Sequence, residues 1–91
     1  MRLENKVSVI TGASKGIGKT IAEKFAFEGS KVSICSRSSS NKEGLLVVDE
    51  IKKNGGEAIY SSVDVSKYSE VEKLIQKTMD EWGKIDILVN N

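Results

Sequence analysis

Three features of this 91-residue chain predict a three-layer α/β fold, with helices on both faces of a parallel sheet. Four short β-branched or apolar runs alternate with three segments whose apolar residues recur at helical spacing. Glycines stand where each helical segment stops, at Gly29, Gly55-Gly56 and Gly83. A glycine-rich turn, "TGASKGIGKT" over residues 11–20, joins the first strand to the first helix.

The run "KVSVIT" (residues 6–11) reads as a buried strand ending at a glycine. Ile17, Ile21, Ala22 and Phe25 then define a helix, and "KVSICS" is the second strand. "RSSSNKEG" (residues 37–44) reads as a polar loop, because it has no regular periodicity. "LLVVDEIKKNGG" carries Leu45, Val48 and Ile51 on one helical face, although Gly44 and the pair Val47-Val48 weaken helicity at its start. "EAIYSSVDV" is the third strand. Ser66 is the expected N-cap of the next helix, with Glu70 and Glu72 in its early turns, where the macrodipole favours carboxylates. Val71, Leu74, Ile75, Thr78, Met79 and Trp82 form the clearest amphipathic stripe, with Trp82 expected in the core. "KIDILVNN" is the fourth strand. The β-α-β-α-β-α-β order implies right-handed crossovers and a single domain over residues 1–91.

Composition excludes several function classes. The chain is 38% hydrophobic and 30% charged with a net charge of +1, which leaves no electrostatic footprint for nucleic acid or an anionic membrane. It holds no apolar span or signal-like segment, so the expected location is cytoplasmic, or an organelle whose targeting segment is absent. With no His and one Cys, no zinc site or His-based catalysis is expected. Cys35, mid-strand among apolar neighbours, reads as an inert buried thiol.

The glycine turn satisfies two motifs. Ala13-x-x-x-x-Gly18-Lys19-Thr20 approaches a P-loop, whereas Gly12-x-x-x-Gly16-x-Gly18 is the turn of a dinucleotide-binding fold. Both would place backbone N–H groups and a helix N-terminus around phosphate. A P-loop hydrolase also needs a carboxylate at the end of an apolar strand for Mg²⁺. Asp64 follows the mixed run "YSSV", and Asp86 opens its strand, so neither suits. The dinucleotide motif fits: Gly12 ends strand one at a tight turn, and Gly16 and Gly18 allow close approach to a pyrophosphate. The expected fold is therefore the N-terminal half of a Rossmann-type doubly wound sheet with strand order 3-2-1-4.

Together with "VDV" after strand three and "ILVNN" closing strand four, this loop resembles the short-chain dehydrogenase/reductase family over the whole chain. The resemblance implies dinucleotide contacts from Gly12, Ser14, Gly16, Ile17 and Gly18. It further implies a hydrogen bond from Asp64 to the adenine amino group, with Val65 lining the adenine pocket. Asn90 matches the first Asn of the family's N-N-A-G motif and would lie beside the adenosine ribose and help fix the sheet, and Asn91 matches the second. Members that bind NAD carry a carboxylate at the end of strand two for the ribose 2′-hydroxyl. Here Ser36 and Arg37 stand there, with Lys15 in the glycine loop, so NADP(H) is expected over NAD(H).

The family's catalytic Ser, its Tyr with Lys four residues on, and its relay Asn lie beyond the N-N-A-G motif, so no catalytic residue is expected here. Tyr60 and Tyr68 have Asp64 and Glu72 at that spacing. The chain is therefore expected to be the cofactor-binding portion of a carbonyl-reducing oxidoreductase, inactive alone. "IDILV" would then form an exposed apolar sheet edge. The resemblance is nearest to 3-oxoacyl-[acyl-carrier-protein] reductases, and it implies a homo-oligomeric parent, tetramer or dimer, acting on a carbonyl substrate. A non-catalytic nucleotide-binding or interaction module, and a gene remnant, are the competing readings.

Overall fold

The computed structural model describes residues 2–91, folded as β1 (Val7–Thr11), α1 (Gly16–Phe27), β2 (Lys31–Ser36), a 3₁₀ turn (Ser38–Ser40), α2 (Asn41–Lys53), β3 (Ala58–Ser62), α3 (Tyr68–Trp82) and β4 (Ile87–Val89). The four strands form one parallel sheet in the order β3-β2-β1-β4. The expected fold class and strand order are both present.

Side-chain alternation along the strands sorts the core into two layers. Ile10, Val32, Ile34, Ala58 and Tyr60 meet Ala22 of α1 and Val47, Val48 and Ile51 of α2. On the opposite face Val9, Cys35 and Val63 meet Leu74 of α3. Thr78 lies in the stripe of α3 as expected and is fully buried, its hydroxyl 2.7 Å from Ser33 Oγ on β2. That pair fixes α3 on the sheet without leaving either hydroxyl unpaired.

Four local expectations need correction. The polar segment after β2 is not a loop throughout: α2 begins at Asn41 and contains Gly44. Burial of Gly44, Val47, Val48 and Ile51 against the sheet overrides their weak propensity. Leu45, expected on the inner face, is 47% exposed, because this four-residue set turns it outward. Ser66 does not cap α3. Its N–H and hydroxyl both donate to Asp64 Oδ1, at 2.9 and 2.6 Å, in a local turn, and the helix starts two residues later at Tyr68. Trp82 is only half-buried and Met79 is 39% exposed, since α3 meets the sheet mainly through Val71, Leu74 and Thr78.

The two sheet edges differ. At β3 the Lys77 ammonium donates to the Tyr60 carbonyl, which blunts that edge. At β4 the outward Leu88 is 63% exposed.

Asp86 clamps the start of the sheet. Its Oδ2 accepts the Val7 N–H at 2.9 Å and lies 3.1 Å from Lys84 Nζ. The Val7 N–H first, and Lys84 second, hold its carboxyl below the ordinary carboxylate range. The stabilisation from this anion is complete above the unfolded pKa of about 3.9 and is lost as pH falls through the lower folded value. The melting-temperature difference between wild type and Asp86→Asn should therefore be constant above about pH 5 and shrink towards pH 2.5. Thermal melts across that range read it directly, and a difference that grows on acidification would contradict the clamp.

Candidate dinucleotide site

The carboxyl ends of β1, β2 and β3 bring most of the expected binding residues to one side of the sheet. Gly12 and Gly16 adopt φ of +61° and +62°, a region that L side chains seldom occupy, and so turn the chain sharply out of β1. A side chain at Gly16 would project into open space, which leaves room for a ligand over the loop. Gly18 serves a different purpose. It is buried in the first turn of α1 and lies directly against the Gly12 carbonyl.

Helix α1 starts without a side-chain cap: Lys15, in extended conformation, occupies the N-cap position, and the first turn holds no acidic residue. Its N-terminal N–H groups thus keep their capacity to meet an anion. By contrast, Glu70 in the first turn of α3 reaches back to accept the Asp64 N–H at 2.8 Å. A pyrophosphate fits the chemistry of the α1 terminus, because the charge it would supply is the one the chain omits.

Long-range bonds hold the loop in place. The Ala13 N–H donates to the Cys35 carbonyl at 3.1 Å. Asn91 donates its backbone N–H to Thr11 Oγ1 at 3.0 Å and its side-chain amide to the Gly12 carbonyl at 3.2 Å. Thr11 Oγ1 in turn lies 3.4 Å from Asn90 Oδ1. Asn90 and Asn91 therefore tie the end of β4 to the glycine loop. Cys35 is fully buried, and burial pushes its thiol pKa up, as an inert group requires.

The remaining expected residues differ in exposure. Lys15, Ile17, Arg37 and Val65 are exposed, with Ile17 at 73% and Val65 at 53%. Ser14 and Ser36 are buried. Asp64 is partly exposed beyond β3, and the Ser66 hydroxyl and N–H hold its carboxyl below the usual range, with a smaller contribution from the positive Arg37. Ser36 points inward, its Oγ 2.7 Å from the Tyr60 hydroxyl. Tyr60 was not among the expected site residues. Its signal was there: a Tyr on the core-facing side of a strand needs a partner for its hydroxyl.

The P-loop alternative finds no support in this geometry. The Thr20 hydroxyl donates to the Gly16 carbonyl at 3.2 Å, and the Asp86 carboxylate is engaged with Val7 and Lys84 at the other end of the sheet. Tyr68 is 78% exposed on α3, while Tyr60 is buried. A cavity of about 690 Å³, bordered by Glu23, Phe27, Lys31, Glu50 and Ile51, lies at the amino ends of the strands. Ligands of open α/β sheets bind at the carboxyl ends, so this cavity is apart from the dinucleotide site. Among the described residues, no helix is long and apolar enough to cross a membrane.

Comparison with known proteins agrees with this geometry. The family model for short chain dehydrogenases matches residues 6–91. An oxidoreductase of Bacillus subtilis is 47% identical over 90 residues, covering 99% of this chain and 32% of that protein. A hydroxynaphthalene reductase-like protein of Metarhizium acridum is 44% identical over 89 residues, covering 98% and 33%. The crystal structure of a hydroxysteroid dehydrogenase from Escherichia coli superposes with a TM-score of 0.94 at 40% identity, covering 99% of this chain and 37% of that one. The chain spans about a third of the length of the curated relatives it matches. With its glycine turn, its crossed Asn pair and its 3-2-1-4 sheet, the chain belongs to the short-chain dehydrogenase family of oxidoreductases.

Proposed function

We propose that these residues form the NADP(H)-binding portion of an oxidoreductase that interconverts a ketone and an alcohol. The observation that carries the cofactor preference is the end of β2, where Ser36 and the exposed Arg37 replace a carboxylate. A carboxylate there would accept from a ribose 2′-hydroxyl and repel a 2′-phosphate. An exposed guanidinium instead supplies charge-assisted donors to the 2′-phosphate, and the exposed Lys15 adds a second cation.

The roles divide by position. The N–H groups at the start of α1 bind the pyrophosphate, with Gly12 and Gly16 shaping the turn that lets it approach and Gly18 letting the loop pack against α1. Ser14 and Ile17 border the same turn, and Ile17 offers an apolar surface that excludes water from one side of the ligand. Asp64 accepts from the adenine amino group through the carboxylate oxygen that Ser66 leaves free, and Val65 lies against the adenine face. Asn90 and Asn91 keep β4 and the glycine loop in register beside the ribose. When bound, the cofactor supplies the hydride. These residues orient it; the groups that handle the proton belong to a longer parent chain, expected to be a cytoplasmic homo-oligomer.

A 3-oxoacyl thioester on acyl carrier protein is the proposed substrate, resting on the similarity of the glycine loop, "GGEA", "DVS" and "KIDILVNN" to reductases of that kind. The names of the relatives point to cyclic ketones and alcohols as the competing class.

The Arg37→Ala protein tests the cofactor assignment. Loss of one charge-assisted contact of about 1.5–3 kcal/mol should weaken NADPH binding by roughly 10- to 100-fold and leave NADH binding within about twofold. Titration of each nucleotide by calorimetry reads both constants, and equal losses would overturn the assignment.

A further inference from the structure

The Ser36 hydroxyl sits at the centre of a buried relay. Its Oγ is 2.7 Å from the Tyr60 hydroxyl and 3.3 Å from the Ser40 carbonyl. When Tyr60 donates to Ser36, the Ser36 proton is free for Ser40, and the chain Tyr60 to Ser36 to Ser40 is continuous. The Ser40 N–H donates back to the Arg37 carbonyl at 2.9 Å, which closes the turn of residues 37–40 on itself.

The ring of Tyr60 holds the other end of this segment. A side-chain carbon placed at Gly44 would lie 2.6 Å from Cδ1 and 2.9 Å from Cζ of Tyr60, so the first turn of α2 packs directly against the ring. One buried side chain on β3, 9% exposed, thus grips the segment at two points: its hydroxyl before Arg37 and its ring after it. Arg37 itself makes no hydrogen bond through its side chain among the described residues, so the backbone that carries it sets the region its guanidinium can reach. A guanidinium gains most from a phosphate when its fork is already aimed at it.

We propose that Tyr60 is a positioning residue for cofactor selectivity: through Ser36 and Gly44 it sets the turn that aims Arg37 at the ribose 2′ position. This rests on the NADP(H) reading of the site. It adds a second requirement to that reading, because Arg37 alone would not secure the preference.

The test compares adenosine 2′,5′-bisphosphate with adenosine 5′-phosphate on wild type and Tyr60→Phe by calorimetry. The variant should lose roughly five- to tenfold in bisphosphate affinity, the size of one hydrogen bond, with 5′-phosphate affinity within about twofold. In nucleotide-free protein, amide exchange at Ser40 and Asn41 should accelerate while that of Val9 and Ile34 stays as in wild type. In an Arg37→Ala background, Tyr60→Phe should change the selectivity no further. Ser36→Ala, which cuts the relay from the other side, should reproduce the loss.

A wild type that does not prefer the bisphosphate would remove the NADP(H) reading, and this inference with it. A wild type that prefers it, with an unchanged ratio in Tyr60→Phe, would overturn the positioning role alone. Equal losses for both nucleotides would also overturn it, since they would mark Tyr60 as part of the general scaffold.

Discussion

Gly18→Ala should lower the melting temperature by roughly 10–20 °C and abolish measurable nucleotide binding, the larger of the two effects being the loss of binding. The added Cβ would fall on the Gly12 carbonyl oxygen, 2.8 Å from the Gly12 carbonyl carbon and 2.7 Å from Asn91 Nδ2. A flexible side chain could swing aside, but two of these three atoms are backbone. The loop must therefore lift from α1, at a cost of about 3 kcal/mol for an overpacked contact. Lifting it also separates Asn91 from Gly12 and moves the turn away from the helix N-terminus, where phosphate would be held. Thermal melts and NADPH titration measure the two effects, and a melting temperature within about 3 °C of wild type would show that the loop is not packed this way.

The second large effect concerns the core. Ile34 is fully buried on β2 among Ile10, Val47, Val48 and Tyr60, so Ile34→Ala should cost about 2–5 kcal/mol. For 91 residues the total stability is roughly 5–14 kcal/mol, and the loss is a large fraction of it. Leu46→Ala is the matched control. Leu46 is 58% exposed on α2, and its truncation should change stability by no more than about 0.5 kcal/mol. Urea denaturation gives both values from shifts in midpoint. Similar costs at the two positions would contradict the face that α2 presents to the sheet.

Gly44 shows how the two scales of information differ. Helical propensity argues against a glycine in the first turns of a helix. The ring of Tyr60, sixteen residues later, explains it: no larger residue fits there. Ser66 shows the same limit in a local motif. Its position before an amphipathic run suits an N-cap, yet Ser66 is drawn into a turn closed on Asp64 and Lys67 takes the N-cap position instead. Trp82 extends the apolar period of α3 correctly, but period alone does not say how far the sheet beneath continues.

Sequence pattern alone suffices for the order of strands and helices, the parallel sheet and the glycine turn. Those features depend on short-range periodicity and on residue types that only a few backbone geometries accept, as with φ near +60° at Gly12 and Gly16. The tertiary structure decided where α2 begins, that Ser36 faces inward while Arg37 faces out, and that Tyr60 stands behind both. Each of these is set by contacts between residues far apart in the chain, such as Tyr60 with Ser36 and Asp86 with Val7, whose energies no local window contains.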